Sequence, residues 1–435
     1  MRILLLALLV CCADGAEVAI FKRFTLIGNG APLRDAGMIV TDGRITWVGP
    51  AAKMKIPPGG TARDLTGKFV MPGMINLHGH VSIASGLVQD AKGFYTRDGL
   101  ARNLALYARF GITSVAALGT DQPLVYQIRG EQLAGRPGVA RIFTAGRGFT
   151  GEGGYPSTIA GMEGVPLEAS TPQAAAAAVD ELATHHPDLV KIWVDDHGGK
   201  LPKISIEIST AIIQAAHRHG LKVVAHIFYL QDAKQLAAAG IDGFAHSVRD
   251  RPVDDELIRL MKQHGTWQMA ATLSREASLF AYAVPSRVLD DPFFADTVMP
   301  DVLAAVKSPA YQQKIAADPD LDRYPEYLQT AQRNLKRLAD AGVRYGFGTD
   351  SGPPARFAGY FEHWEAQLMV EAGLTPAQVI AAATRSAAEF LGAKDLGSLE
   401  EGKWADFVVL RTNPMADIRN TRSIEQVYIA GNPVR

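Results

Sequence analysis

The middle of this chain alternates short apolar segments with longer amphipathic segments, and this alternation limits the fold more than any other feature. The amphipathic stretches predict helices at 172–185, 206–219, 232–239, 254–264 and 330–341. The apolar stretches predict strands at 70–76, 113–118, 141–145, 189–194, 222–226, 243–246, 266–271 and 343–348. Strands separated by helices form parallel sheets, and this number of strands predicts a (β/α)8 TIM barrel within an α/β fold.

Both ends of the chain have a different pattern, which is rich in β-structure. Strand-like runs occupy 18–21, 24–27, 37–40 and 44–48, and Asp42-Gly43 between two such runs is a strong hairpin signal. Similar runs lie at 405–410 and 424–429. We therefore expect one small β-sandwich domain built from 17–70 and 396–435, with the barrel catalytic domain at 71–395.

The first residues are typical of an export signal. Arg2 precedes an apolar run that is followed by small residues, which predicts a signal peptide at 1–16 and a periplasmic or secreted protein. Cys11 and Cys12 are the two cysteines of the chain, so the mature protein would contain none. A buried first strand and a lipid anchor on Cys12 are the alternatives. No membrane span is expected, because the run is too short.

Composition permits a large soluble enzyme. The chain has 435 residues, is 47% hydrophobic and 20% charged, and carries a formal net charge of -1. No charge excess favours a nucleic-acid partner.

Polar residues of metal-binding types lie at the ends of the predicted strands. His78 and His80 are separated by one residue, so a strand would direct both to the same face. In barrel enzymes the carboxyl ends of the strands carry the chemistry. The candidate metal ligands are His78, His80, Lys191, His226, His246 and Asp350.

Each candidate also has a structural interpretation. A single histidine at a strand end is commonly a hydrogen-bonded structural residue, Lys191 could be an outward lysine of an edge strand, and Asp350 could cap a turn. For the metal site to be absent, these structural interpretations would have to hold independently at every strand, which is improbable. The remaining histidines near helix ends are interpreted as structural; they are His185, His186, His217, His219 and His264.

The segments 69–80 (FVMPGMINLHGH) and 397–409 (GSLEEGKWADFVV), together with the strand-end residues, resemble the amidohydrolase superfamily. The resemblance is to its binuclear branch, which includes imidazolonepropionase-like and dipeptidase-like members. It implies that Lys191 is carboxylated by carbon dioxide and bridges two divalent ions, of which zinc is the leading candidate. It assigns His78, His80 and Asp350 to one ion, and His226 and His246 to the other.

The resemblance implies hydrolysis of a carbon–nitrogen amide or peptide bond. A hydroxide bridging the two metal ions would attack the carbonyl, with Asp350 as general base and then general acid. The expected substrate is a small molecule, either a dipeptide or an N-acyl amino acid. Self-association is expected from the resemblance alone.

The substrate is expected to be selected by the loops that follow the strands. The stretches 146–164 and 272–325 are candidate lids. Candidate substrate-binding residues are Tyr155, His197, Tyr229 and Arg249, of which Arg249 could bind a carboxylate or instead pair with Asp250 or Asp254. The segment 194–199 departs from the short glycine-rich turn of the dipeptidase-like relatives.

Other functions remain open at this stage. The same centre could cleave a lactone or a phosphotriester. A deaminase would use a related barrel with one metal ion and usually lacks the lysine. A non-catalytic exported binding protein is a further alternative.

Overall fold

The computed structural model describes residues 17–435, so the predicted signal peptide at 1–16 lies outside the described residues. The strands are β1 (Val18–Leu26), β2 (Leu33–Thr41), β3 (Arg44–Pro50), β4 (Thr61–Asp64), β5 (Phe69–Pro72), β6 (Met74–Gly79), β7 (Ala84–Ser85), β8 (Val88–Gln89), β9 (Ile112–Ala117), β10 (Arg141–Thr144), β11 (Phe149–Gly151), β12 (Leu167–Ala169), β13 (Leu189–Trp193), β14 (Lys222–His226), β15 (Gly243–Phe244), β16 (Phe407–Leu410), β17 (Ile424–Ile429) and β18 (Asn432–Pro433).

Helices separate most of the central strands, which makes the fold mixed α/β. They are α1 (Arg97–Arg109), α2 (Leu124–Ala134), α3 (Pro172–Ala183), α4 (Ile206–Arg218), α5 (Leu230–Ala238), α6 (Asp255–His264), α7 (Leu273–Ala281), α8 (Pro292–Thr297), α9 (Pro300–Val306), α10 (Pro309–Ala316), α11 (Tyr324–Asp340), α12 (Tyr360–Glu371), α13 (Pro376–Ala381) and α14 (Ala387–Leu391). Among the described residues, no helix has both the length and the apolar character needed to cross a membrane.

Strands from both ends of the chain share one sheet. Its order is β18-β17-β16-β5-β1-β2-β3, and β4 pairs with β1. Asp42 and Gly43 form the expected hairpin turn between β2 and β3, with φ of 51° and 82°. Such positive φ values suit the turn types that match the twist of a hairpin. The separate strands predicted at 18–21 and 24–27 are instead one strand, β1, with a register shift at Arg23.

The central strands pair in parallel. One sheet has the order β10-β9-β6, and a second has the order β12-β11-β13-β14-β15. The backbone amide of Leu77 in β6 donates to the carbonyl of Phe347 at 2.8 Å, which joins the last predicted strand to the first. In the interior, Ile75, Leu77 and Val224 contribute to one buried apolar cluster.

Two predicted strands, at 266–271 and 343–348, are not continuous. They form isolated parallel bridges, from Gly243 to Trp267 and from Gln268 to Tyr345. The neighbouring strand β15 has only two residues, so it offers little backbone for a longer ladder. These segments occupy the expected positions with less regular pairing.

The strand predicted at 70–76 is two strands with a break at Gly73. β5 pairs with β16 and β1 in the terminal sheet, whereas β6 pairs with β9. A Cβ atom at Gly73 would lie 2.1 Å from Oγ1 of Thr113. A residue without a side chain is therefore required where the chain passes from one sheet to the other.

The predicted helices are present, and most of their ends differ by no more than two residues, but α11 begins at Tyr324, six residues before the predicted start at 330. Thr171, Ser205 and Asp254 cap α3, α4 and α6 by accepting a backbone N–H, as such residues do at helix starts. The stretch 272–325, one of the two candidate lids, contains the helices α7 to α10. The stretch 146–164 contains only the short strand β11.

A buried ion pair joins the terminal sheet to the central strands. Nε of Arg141 in β10 donates to Oδ2 of Asp406 at 2.7 Å, and the backbone amide of Ala430 donates to Oδ1 of Asp406 at 2.7 Å. The side chains of Arg141 and Asp406 are 10% and 5% exposed. The pair therefore links three segments that are distant in sequence.

We expect Arg141→Ala to lower the free energy of unfolding by about 3–5 kcal/mol, because it leaves the carboxylate of Asp406 buried without a cation. Urea denaturation followed by circular dichroism measures the change. The matched control is Arg97→Ala, which breaks an exposed pair with Glu131 and should change stability much less. Equal destabilisation by the two substitutions would contradict this prediction.

Candidate metal centre

Two histidines and an aspartate meet where β6 ends. Nε2 of His80 lies 2.9 Å from Oδ1 of Asp350, and Nε2 of His78 lies 3.5 Å from the same oxygen. The backbone amide of Asp350 donates to the carbonyl of His78 at 2.7 Å. This hydrogen bond explains why a residue of the last segment lies beside the first strand.

Two further imidazoles complete the cluster. His226 ends β14, and the rings of His226 and His246 are 4.2 Å apart. The ring of His246 is 4.8 Å from that of His78. One ligand atom each from His78, His246 and Asp350 lies within 4.8 Å of the others, a spacing that a metal ion can bridge.

In each of these histidines, a hydrogen bond at one ring nitrogen leaves the other ring nitrogen free to bind a metal ion. Nδ1 of His78 donates to the carbonyl of Ala245 at 2.9 Å, so its Nε2 is left as a ligand. Nδ1 of His80 is 2.9 Å from the hydroxyl of Thr120, and Nδ1 of His246 is 2.7 Å from that of Thr272. These contacts orient imidazoles in the way that hydrogen-bonded partners orient metal ligands.

His226 has the opposite arrangement. Its Nε2 lies 2.8 Å from Oδ2 of Asp195, which leaves Nδ1 as the free ring nitrogen. Burial lowers the pKa of His226 to about 4, although Asp195 opposes this shift. The ring is therefore neutral near pH 7, the state that a metal ligand needs.

Lys191 lies fully buried in the centre of β13. Its Nζ has no hydrogen-bond partner among residues 17–435. Burial lowers the pKa of Lys191 to about 7. Gly119 and Gly148 approach its stem closely, since a Cβ atom at Gly119 would lie 2.9 Å from Cγ of the lysine. An isolated buried ammonium is very costly, so the lysine is suited to chemical conversion or to a bound partner.

Burial and neighbouring charges shift the pKa values of the ionisable groups in the centre. Burial opposes ionisation of Asp350, but the guanidinium of Arg356 holds the pKa of that carboxyl well below its usual value. Burial lowers the pKa of His78 and of His80. The resulting combination of neutral imidazoles and an ionised carboxylate fits the donor set of a divalent metal ion.

The predicted substrate-binding residues have different positions. The ring of Tyr155 lies 5.2 Å from that of His226, so Tyr155 borders the centre. The ring of His197 lies 4.3 Å from that of Tyr155, on an exposed residue. Tyr229 precedes α5, and its hydroxyl donates to Asp196 at 2.8 Å.

Arg249 is buried, and neither of its two predicted partners pairs with it. Nη1 of Arg249 donates to the carbonyl of Ile227 at 2.7 Å, and Nε lies 3.0 Å from Oε1 of Glu276 in an ion pair. Asp250 pairs with Arg251 instead, and Asp254 pairs with Lys234. A side chain that is 1% exposed and held by backbone carbonyls is poorly placed to bind a carboxylate from solvent.

The histidines predicted to be structural bond elsewhere in the chain or are exposed at helix ends. His217 pairs with Asp242 and His219 with Asp180, while His185 stacks on Tyr126. Residues His186 and His264 are exposed.

Several important residues were missed by sequence analysis. Asp195 directly follows the predicted strand 189–194, so its position could have indicated a site residue. Arg275 and Arg356 both approach Asp350, but they lie within segments without a recognisable motif. Glu362 was missed because it lies inside a helix.

Glu362 holds the first and last segments of the centre together. Its Oε1 accepts from Asn76 at 2.8 Å, from Thr349 at 2.9 Å and from Ser351 at 2.6 Å. Oδ1 of Asn76 in turn accepts the backbone amide of His78 at 2.9 Å. A fully buried carboxylate with this many donors fixes the relative positions of two ligand-bearing segments.

The parallel strands and this buried group of imidazoles and carboxylate are typical of metal-dependent α/β hydrolases. The sequence profile of the Amidohydrolase family matches residues 69–434. The chain therefore belongs to the amidohydrolase family, whose members are characteristically metal-dependent hydrolases acting on carbon–nitrogen bonds. The expectation from the sequence is confirmed at this level.

Individual relatives extend over nearly the whole chain. Imidazolonepropionase of Deinococcus deserti is 24% identical and covers 92% of both chains. Ochratoxinase of Aspergillus niger is 26% identical and covers 95% of this chain and 85% of its own length. A crystal structure of a Xaa-Pro dipeptidase with bound methionine is 21% identical, covers 96% of this chain and 99% of that chain, and has a TM-score of 0.75, which shows a shared fold.

We expect Glu362→Gln to weaken metal binding by about 10- to 100-fold while the protein stays folded. The carboxylate accepts three side-chain donors on Oε1 and the backbone amide of Gly359 on Oε2, whereas the amide of glutamine has only one acceptor oxygen. Competition with a chelator, followed by metal analysis of the protein, measures the affinity. Glu371→Gln at the exposed end of the same helix is the control and should bind metal normally. Unchanged metal affinity in the Glu362 variant would show that this network does not support the centre.

Proposed function

We propose that this protein hydrolyses an amide bond of a small substrate, either a dipeptide or an N-acyl amino acid, at a binuclear metal centre. The observation that carries the proposal is the buried Lys191, whose Nζ lacks a protein partner among the described residues and which lies close enough to His78, His226 and His246 to lower their pKa values. A buried amine without a partner, beside residues of metal-binding types, favours a lysine side chain that has been converted to an anion.

Carboxylation by carbon dioxide is the conversion that fits this lysine. The lone pair of a neutral Nζ attacks the carbon of carbon dioxide, an N–C bond forms, and one proton is released. The lowered pKa of Lys191, which results from burial, provides a substantial neutral fraction of the amine near pH 7. The product is a carboxylate with two oxygens, and such a group can contact two cations.

The residues then divide into two ligand groups. His78, His80 and Asp350 would hold one ion, His226 and His246 the other, and carboxylated Lys191 would contact both. Zinc suits this set of nitrogen and oxygen donors. When bound, the metal ions would supply an acidified water and a Lewis acid for the substrate carbonyl.

Asp350 is the proposed proton carrier. One oxygen, Oδ1, faces the histidines, while Oδ2 faces the arginines Arg275 and Arg356. A carboxylate at this position can accept the proton of the attacking water and return it to the departing nitrogen, as a general base and then a general acid. The reaction requires no serine or cysteine nucleophile.

The relatives support an amide or peptide substrate in particular. The similar structures include the Xaa-Pro dipeptidase with bound methionine and the ochratoxinase of A. niger. We assign Tyr155, His197 and Tyr229 to the substrate side of the centre, since they border it or follow a ligand-bearing strand.

The proposal includes the organisation of the chain. Residues 71–395 would form the closed catalytic barrel, and residues 17–70 with 396–435 would form a β-sandwich domain. Residues 1–16 would direct export to the periplasm or beyond the cell. The shared sheet of terminal strands supports the domain division.

We expect Lys191→Met to lower kcat/KM by about 100- to 1000-fold, because the variant lacks the side chain that would be carboxylated and would contact both metal ions. Growth and purification with isotopically labelled bicarbonate, followed by NMR, should detect a carbamate in the parent protein and none in the variant. The measurement separates loss of the modification from loss of activity.

The matched control is Lys222→Met, at the opposite end of the neighbouring strand β14, where Nζ contacts the carbonyl of Phe390. This variant should keep both the carbamate and the activity. If Lys191→Met were fully active with normal metal content, the proposed centre would be wrong.

A substrate screen tests the reaction type. Metal-verified protein should hydrolyse some dipeptides or N-acyl amino acids, and His226→Ala should abolish this turnover while the circular dichroism spectrum is unchanged. If the protein hydrolysed only lactones, phosphotriesters or aminated bases, and no amide, the proposal would be wrong.

A further inference from the structure

Two arginines approach Asp350 on the side away from the histidines. Nη1 of Arg356 contacts Oδ2 of Asp350, and Nε of Arg275 lies 3.9 Å from the same oxygen. The histidines His78 and His80 face the other oxygen, Oδ1. A carboxylate oxygen therefore already lies between two guanidinium groups, at the edge of the candidate metal centre.

Both arginines have unused N–H groups. A guanidinium carries five N–H donors. Within residues 17–435, the guanidinium of Arg356 hydrogen-bonds only through Nη1, to Asp350, and that of Arg275 only through Nη1, to Glu276 at 2.7 Å. Their side chains are 21% and 14% exposed, so a ligand can reach them.

Arg249 differs from these two arginines. Its side chain is 1% exposed, and Nη1 donates to the carbonyls of Ile227 and Ser247. The accessible cations beside Asp350 are therefore Arg275 and Arg356. Arg249, in contrast, is enclosed by the protein and donates to its backbone.

Glu276 orients Arg275. Its Oε1 accepts from Nη1 of Arg275 at 2.7 Å and lies 3.0 Å from Nε of Arg249. Glu276 is 1% exposed, so both its position and its charge are held by the surrounding protein. A guanidinium that is fixed before binding loses less conformational entropy when it binds a ligand.

We propose that Arg275 and Arg356 form a carboxylate-binding subsite that holds the carboxylate group of the substrate beside the bond that is cleaved. The proposal rests on the proposed function and names the residues that would recognise the free carboxylate that a dipeptide or an N-acyl amino acid carries. Paired guanidinium groups bind a carboxylate through charge-assisted hydrogen bonds in a defined orientation. The position next to Asp350 places this group near the proposed proton carrier.

The test compares an acid with its neutral amide. N-acetylmethionine and N-acetylmethioninamide are the kinetic pair, and methionine and methioninamide are the binding pair for calorimetry, since a similar structure holds methionine. The parent protein should prefer the acid in both experiments. Arg356→Gln should lower this preference by about 10- to 100-fold, mainly through KM, with metal content unchanged.

Two further variants make the comparison specific. Arg356→Lys keeps the charge but not the bidentate geometry, so it should recover part of the preference. Arg287→Gln replaces an exposed arginine of the segment between α7 and α8 and should leave the preference unchanged. A merely structural role of Arg356 would lower activity on acid and amide equally.

Failure of this inference is distinguishable from failure of the proposed function. Hydrolysis of acid and amide at equal rates, or binding of methionine no tighter than that of methioninamide, would overturn the subsite while leaving amide hydrolysis intact. If neither N-acetyl compound is hydrolysed but methionine binds in preference to its amide and Arg356→Gln removes that preference, the subsite stands without the proposed reaction.

Discussion

The backbone pairing between β6 and the segment 347–351 is the constraint on which the site depends. Leu77 donates to Phe347, Asp350 to His78, and His80 to Ser351, at distances of 2.8 Å, 2.7 Å and 2.8 Å. Buried backbone groups must find partners, so these hydrogen bonds exclude a slip in register. Glu362 adds side-chain contacts to the same two segments. The positions of His78, His80 and Asp350 relative to one another follow from this pairing.

The site also concentrates groups that are costly to fold. Lys191 is buried without a partner among the described residues, and the single buried carboxylate of Glu276 pairs with both Arg249 and Arg275. Asp350, Thr272 and His197 adopt left-handed backbone conformations, with φ of 58°, 54° and 51°. Side chains disfavour this region, and such strain is characteristic of functional sites.

Local signals predicted most of the regular elements. Capping residues such as Thr171 and Ser205 mark helix starts because the signal lies within one turn of the helix. Asp42-Gly43 predicted a hairpin for the same local reason. The prediction was wrong at Gly73, where one strand is two, because the change of sheet depends on close contact with Thr113. It was also wrong for the pairing of Arg249, whose partner Glu276 lies on another segment.

The sequence by itself determined which side-chain types stand at the strand ends, because strand period and strand length are local properties. Only the tertiary structure decided how those side chains are used. Ala245, Thr272 and Asp195 select the nitrogen that His78, His246 and His226 present. The structure likewise placed Arg275 and Arg356 on one oxygen of Asp350. Hydrogen bonds and charge contacts between distant segments depend on three-dimensional proximity, which the local sequence pattern does not encode.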